Sequence, residues 1–434
     1  MIGYLREIWS FVKGRFARDA ATVGGGAAFG QLLVVASSPI LTRLYTPEEF
    51  GVLAVFAAIV GTLFAVLAGR YELAIPLPES DRLAASVTVL GFGIVLLISA
   101  GTGLVLFLWG GSLVKLTNTP TLEPYLWLIP VGLLGAGGYK VFNYWVIRRK
   151  EYAVVARTKV TQNVARVASQ VGMGVGGAGA VGLLVGQVLG RVGGIGSLAA
   201  YTFRHDWSVL RTVTIRRMRY AARRYKRFPF LSGPSGLLNK GALKLPELLF
   251  ASLFAANVAG WLSLAQRVIS LPTWLVSQAI QQVYLGEASD LARDDPEELG
   301  SLYLKVSGFL AIVGILPALG LWGLGSTLFP IIFGEGWVEA GYYTEYLSLT
   351  FFAQIVVNPL SMTLNVLERQ ELQLVWDALR FVMVILILGG GSVTNMSART
   401  TVALFSGGLF LTYLLLWFLC LYAIRVHAFS PEMK

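Results

Sequence analysis

The sequence predicts an all-α integral membrane protein, and three observations carry that expectation. Hydrophobic residues make up 55% of the 434, with a mean hydropathy of +0.67. Runs of about 20 apolar residues, enough to cross a bilayer as a helix, recur from Ala21 to Tyr422. Lys and Arg cluster in alternate connecting segments, as they do in multi-spanning proteins. The runs give about twelve transmembrane helices, at residues 21–41, 50–68, 83–109, 125–147, 160–180, 181–203, 228–254, 258–284, 302–324, 343–364, 374–391 and 401–424. An even number puts both termini on one side.

The N-terminal residues lack a cleavable signal pattern, because Arg6, Lys13, Arg15 and Arg18 interrupt any early apolar core. Leu5, Ile8, Trp9, Val12 and Phe16 instead share a helical face, predicting a cytoplasmic interfacial segment over 1–20, under the first span. The cation-rich loops hold Arg6, Lys13, Arg15 and Arg18, then Arg70 and Arg82, then Arg148, Arg149, Lys150, Arg157 and Lys159, then nine Lys/Arg between Arg204 and Arg227. The alternate loops hold little beyond Arg43, Lys115 and Arg399. By the positive-inside rule both termini are expected in the cytoplasm, with a 425–434 tail. The net charge of +11 is thus mostly topology. No nucleic-acid partner is expected: a basic stretch beside a membrane is first a solvated or anionic-lipid-binding segment.

The longest stretch outside the spans, 204–227, is too short for a catalytic domain. It divides the chain into a six-helix lobe at 21–203, a basic cytoplasmic linker and a second six-helix lobe at 228–424. A faint internal repeat supports two lobes. Aligning Tyr125-Leu126-Trp127-Leu128 with Tyr346-Leu347-Ser348-Leu349 brings Arg148 onto Arg369 and Lys159 onto Arg380. Phe50-Gly51-Val52-Leu53 likewise matches Ala259-Gly260-Trp261-Leu262 at another offset. Gly182, Gly186 and Gly190 recur every fourth residue, which lets a neighbouring helix approach closely. Gly172-Met173-Gly174-Val175-Gly176-Gly177 matches a dinucleotide-binding pattern in form only, since no strand precedes it.

Enzyme chemistry finds no constellation in the sequence, so no catalytic residue, cofactor or metal is expected. His205 and His427 lie outside the spans without ligand-spaced companions. Cys420 is the only cysteine, which excludes an intramolecular disulfide. Asp294 to Glu298, with Pro296, reads as a helix start.

Charges inside the spans are more informative, because each costs several kcal/mol at bilayer depth unless it faces a bundle interior or a watered cavity. Lys140, Lys240, Lys244 and Arg267 lie within such runs. Lys240 and Lys244 share a helix face, and Glu247 follows where it can neutralise one of them. Gln162, Arg166 and Gln170 share a face of the fifth span, as Gln187 and Arg191 do in the sixth. Each has a structural alternative: an ion pair, a helix–helix contact, or snorkelling to a headgroup. Snorkelling fits Lys140, Arg380 and Asp377 best, nearest the cytoplasmic ends. Lys240, Lys244 and Arg267 are the principal candidates for lining a cationic cavity, with Arg43, Lys140, Arg166, Arg191 and Glu247 as secondary ones.

Pro39-Ile40-Leu41-Thr42-Arg43-Leu44-Tyr45-Thr46-Pro47-Glu48-Glu49-Phe50-Gly51 and Tyr71-Glu72-Leu73-Ala74-Ile75-Pro76-Leu77-Pro78 resemble the opening of the polysaccharide-biosynthesis, O-antigen-type oligosaccharide flippases of the multidrug/oligosaccharidyl-lipid/polysaccharide exporter superfamily. Phe228-Pro229, Leu238-Asn239, Leu264-Ala265-Gln266-Arg267-Val268 with Leu271-Pro272, and Phe333-Gly334 with Trp337, Ala340 and Gly341 are similar too. The resemblance covers nearly the full length. It implies two six-helix lobes around a central cavity in a prokaryotic cell membrane. It also implies transport of an oligosaccharide linked to a polyprenyl phosphate or diphosphate, outward from the cytoplasmic leaflet, alongside glycan-assembly enzymes and membrane lipids. Arg43 and Arg267 stand within matching motifs; Lys240 and Lys244 rest on depth and spacing alone. A drug or cation antiporter of the same superfamily is the first rival, but it needs carboxylates where this sequence has a basic surplus. A membrane glycan ligase or polymerase needs a large outward loop, and the outward loops are short.

Overall fold

A computed structural model describes residues 15–429, and helix is the only regular secondary structure among them. Of the interfacial segment expected over 1–20, residues 1–14 lie outside the described residues, and 15–20 form the start of a continuous helix that runs on into the first expected span. The helices are α1 Arg15–Ala36, α2 Ser38–Leu44, α3 Pro47–Phe64, α4 Asp81–Leu116, α5 Leu128–Arg148, α6 Tyr152–Val175, α7 Ala180–Val192 and α8 Ile195–Leu210. There follow α9 Ile215–Arg224, α10 Gly233–Leu253, α11 Ala256–Asp294, α12 Pro296–Phe333, α13 Val338–Val357, α14 Thr363–Val366, α15 Gln370–Val393 and α16 Ala398–Phe429. Every expected span coincides with one helix or with two consecutive short ones. Among the described residues six helical segments are long and apolar enough to cross a membrane, α7 and α8 counting as one, or seven if a bent pair counts as one span. Of the remaining long helices, α5, α6, α10 and α11 carry Lys140, Lys159 and Arg166, Lys240 and Lys244, and Arg267. Most of the candidate residues thus lie on helices with a weak membrane signal; Arg191 is the exception, on α7 within the candidate span Ala180–Leu210.

The chain packs as two compact units, Met1–Ser252 and Leu253–Lys434. Helices α9 and α10 belong to the first unit, whereas the sequence put a linker at 204–227 and opened the second lobe at 228. The reason is local. Tyr71 Oη donates to the Ala222 carbonyl at 3.0 Å, and Arg70 Nε to the Ser232 carbonyl at 3.1 Å, which ties both segments to the turn after α3.

In the first unit, Thr46 and Glu49 form a reciprocal cap at the start of α3, with Thr46 N donating to Glu49 Oε2 at 2.7 Å and Glu49 N to Thr46 Oγ1 at 3.3 Å. Pro47 occupies the first turn, where no amide donor is needed. Helix α3 is apolar on all sides, with Phe50, Val52, Phe56 and Val60 buried, so it is a central helix rather than a peripheral one. The glycine repeat of α7 lies against α6: a Cβ on Gly186 would sit 2.3 Å from Gln170 Cγ, and one on Gly190 2.7 Å from Arg166 Cβ. The small-residue seam read from the sequence is therefore a close helix–helix contact.

The second unit begins its α12 as expected, with Pro296 in the first turn and the Asp295 carboxylate accepting from Glu298 N at 3.1 Å. Helices α12 and α13 touch at Gly325 and Gly341, where a Cβ on either would lie under 3 Å from the other's carbonyl oxygen. Helix α13 ends where Pro359 removes an amide donor, and the chain bends by 41° into the short turn before α14.

Candidate functional site

The first unit buries charge, and its geometry starts at a sharp turn. After α3, Gly69 and Arg70 both adopt left-handed backbone, with φ of 60° and 62°, and fold the chain into a 3-10 turn, Tyr71–Ala74. Glycine takes that conformation freely; Arg70 holds it while its guanidinium is fixed to Ser232. The turn places Glu72 entirely out of solvent. Its Oε1 lies 2.6 Å from Lys140 Nζ of α5, whose side chain is 10% exposed. Lys140 Nζ also donates to the Phe64 carbonyl at 3.1 Å and stands 4.7 Å from that residue's ring centroid. Oε1 is held by charge, out of hydrogen-bond alignment, and Oε2 has no partner among the described residues. Arg191 of α7 approaches the same Phe64 ring, its Cζ 5.7 Å from the centroid, and its buried Nε has no hydrogen-bond partner among the described residues. Lys140, Glu72, Phe64 and Arg191 therefore form one polar core spread over four segments.

This corrects the expectation that Lys140 snorkels. The 3-10 turn brings a carboxylate to it, so the ammonium stays inside instead of reaching for a headgroup. Arg380 and Asp377 are likewise paired at 2.9 Å, with Arg380 also 4.4 Å from the Trp376 ring centroid.

The other candidates separate. Lys244 pairs with Glu247 at 2.6 Å along α10, the neutralisation that their spacing predicts. Lys240, one turn earlier, is exposed and makes no ion pair among the described residues. Arg267 is half-buried on α11 of the second unit. Arg43 is exposed and donates to the Pro39 carbonyl of its own helix at 2.8 Å. Gln162 Nε2 donates to the Arg191 carbonyl at 3.1 Å and Gln170 Nε2 to the Leu183 carbonyl at 3.0 Å, so this polar face of α6 joins α7.

Sequence reasoning missed a second charged arrangement at one end of the unit. Arg148 Nη2 meets Asp81 Oδ1 at 2.9 Å, and its Nη1 donates to the carbonyls of Pro76 and Pro78 at 3.1 and 2.5 Å. Arg149 bridges Asp81 at 3.0 Å and Asp206 at 2.6 Å, and Trp145 Nε1 donates to Asp206 at 2.9 Å. These arginines brace α4, α5, α8 and the Pro76–Pro78 loop. As loop cations they signalled topology alone; only the nearby Asp81 offered a hint of more.

Known proteins resemble this chain in sequence and in fold. The succinoglycan biosynthesis transport protein ExoT of Rhizobium meliloti (strain 1021) is 24% identical over 351 residues, 79% of this chain and 67% of that one. Among solved structures, the lipid II flippase MurJ in an inward closed conformation superposes with a TM-score of 0.73 at 11% identity, covering 94% of this chain and 89% of MurJ. An inward-facing multidrug resistance MATE family transporter of the MOP superfamily gives a TM-score of 0.62 at 13% identity, covering 93% and 96%. At such identities these two structures share the fold. The sequence profile of the polysaccharide biosynthesis protein family matches residues 40–341, well over half of the chain, and the protein belongs to that family.

Proposed function

We propose that this protein is a flippase that moves a lipid-linked oligosaccharide or polysaccharide precursor from the cytoplasmic to the outer leaflet of a prokaryotic cell membrane, with both termini cytoplasmic. It works by alternating access, opening to one side and then the other, and no covalent bond changes. The observation that carries this reading, alongside family membership, is the sign of the charge borne by the first unit's helices. Lys140, Arg166, Arg191, Lys240 and Lys244 stand against Glu72 and Glu247, and each of those two carboxylates is already paired with a lysine. A basic surplus suits a phosphate or diphosphate head. The rival cation antiporter needs a carboxylate free for its cargo.

On this reading Lys240 and Lys244 are the substrate-binding candidates of the first unit and Arg267 that of the second, each for a phosphate, and Arg43, Arg166 and Arg191 contribute to the positive field. Glutamine at Lys240, Lys244 and Arg267 together leaves the protein inserted but lowers glycan export at least about tenfold, since hydrogen bonds to charged groups are worth about 1.5–3 kcal/mol each. Arg267→Lys is impaired as well, because an ammonium cannot reproduce a bidentate guanidinium contact. Export measured in a strain lacking the native gene decides. Normal export by the triple variant removes these residues from the site, and export of an organic cation in place of glycan favours the antiporter.

A further inference from the structure

Helix α9, IRRMRYAARR, is the most strongly amphipathic of the longer helices among the described residues and plays no part in the transport reading. It starts from Thr214, whose side chain accepts from Arg217 N, and one face packs inward: Ala221 is buried, and Met218, Ala222 and Tyr225 are half-buried. That face is fixed to the turn carrying Glu72, through the Tyr71 hydroxyl on the Ala222 carbonyl. The other face presents Arg216, Arg217, Arg219, Arg223 and Arg224, all exposed. Among the described residues none of the five pairs with a carboxylate.

Two further features set the depth of this face. Helix α9 begins just after Leu210, where the candidate span Ala180–Leu210 ends, and it packs against α4, whose own candidate span begins at Asp81. Exposed apolar side chains accompany the arginines: Ile215 is 70% exposed, Tyr220 55% and, shortly before, Trp207 55%. A face looking into water gains nothing from these, whereas a face at headgroup depth seats them at the acyl boundary and its guanidiniums on phosphates.

We propose that the outer face of α9 docks on anionic phospholipid headgroups at the membrane surface, and that the docked helix holds the Glu72 turn in place. The occupant is bulk anionic lipid, so this holds whichever cargo the protein carries.

The test uses the full chain, with a fluorophore on Tyr220→Cys after Cys420→Ala, in nanodiscs where either the phosphatidylglycerol or the phosphatidylcholine is brominated at equal mole fraction. Brominated phosphatidylglycerol is expected to quench about fivefold more strongly, the ratio that one arginine's attraction to an anionic surface supplies. Glutamine at all five arginines, or high salt, brings the two quenchers level. Inorganic phosphate replacing chloride at equal ionic strength leaves the preference intact. Equal quenching by both lipids in the parent protein overturns the proposal. So does quenching by neither, which places the face in water; a preference that survives the five-glutamine change; loss specific to inorganic phosphate; or capture of an oligonucleotide without any lipid preference.

Discussion

Among the described residues the first unit buries Glu72, Lys140, Asp206 and Glu247, while the second unit fully buries no charged side chain, only serines, threonines and aromatic polar groups. The contacts of these second-unit residues are neutral: Thr350 Oγ1 with Ser406 Oγ at 2.8 Å, Tyr284 Oη with Thr363 Oγ1 at 2.7 Å, and Trp417 Nε1 to Ser307 Oγ at 3.0 Å, while the Arg380–Asp377 pair is only part-buried, its carboxylate 30% exposed where Glu72 is fully enclosed. Hydroxyl contacts of this kind add modest stability and fix helix register. A buried ion pair is different, because desolvating two charges consumes most of what their attraction returns. A hydrophobic pair of the same volume would hold the helices as well or better. The difference between the units therefore points to a role for charge in the first that packing alone does not require.

The sharpest way to break this comparison is to remove one partner of the Lys140–Glu72 pair. Lys140→Met or Glu72→Gln alone is expected to destabilise the protein by about 3–5 kcal/mol, since each leaves its neighbour buried and uncompensated. Lys140→Met with Glu72→Leu recovers most of that loss in thermal unfolding in detergent, yet transport stays impaired if charge matters to function. Full transport by the stable double variant would reduce the pair to a structural relic. A middle-sized effect is expected in the second unit. Thr350→Val costs about 1–3 kcal/mol by orphaning Ser406, and adding Ser406→Ala returns stability to near the parent, with transport unchanged throughout. Loss of transport in that double variant would erase the contrast. The smallest effect belongs to Arg399, which meets Glu339 at 2.5 Å with side chains 43% and 29% exposed. Arg399→Gln changes stability by about 1 kcal/mol or less, and added salt removes even that; a larger shift would mean that the second unit also relies on charge.

How much was legible in the sequence follows from how local each signal is. Spans were legible because hydropathy is a property of a window. The Lys244–Glu247 pair, the Asp295 cap and the Gly186 seam were legible because helical spacing alone defines them. Arg380 with Asp377 had the same spacing and was still read as snorkelling, since depth was weighed before pairing. The Lys140–Glu72 pair had no such signature. It joins residues 68 positions apart by sequence number, and it depends on two left-handed residues that only three-dimensional packing enforces. Arg148 and Arg149 were hidden for another reason: a loop cation that sets topology and one that braces helices look alike in sequence.

The buried pair has an electrical consequence. An ammonium and a carboxylate 2.6 Å apart move as a dipole with no net charge. When the first unit shifts within the bilayer, the membrane potential therefore does almost no work on that pair. On the proposed reading the voltage acts instead on the cargo and on any unpaired cation that moves with it, at about 2.3 kcal/mol per charge per 100 mV. A diphosphate head leaving a negative cytoplasm is then drawn outward by the field, and the Lys140–Glu72 pair adds no charge movement of its own to that stroke.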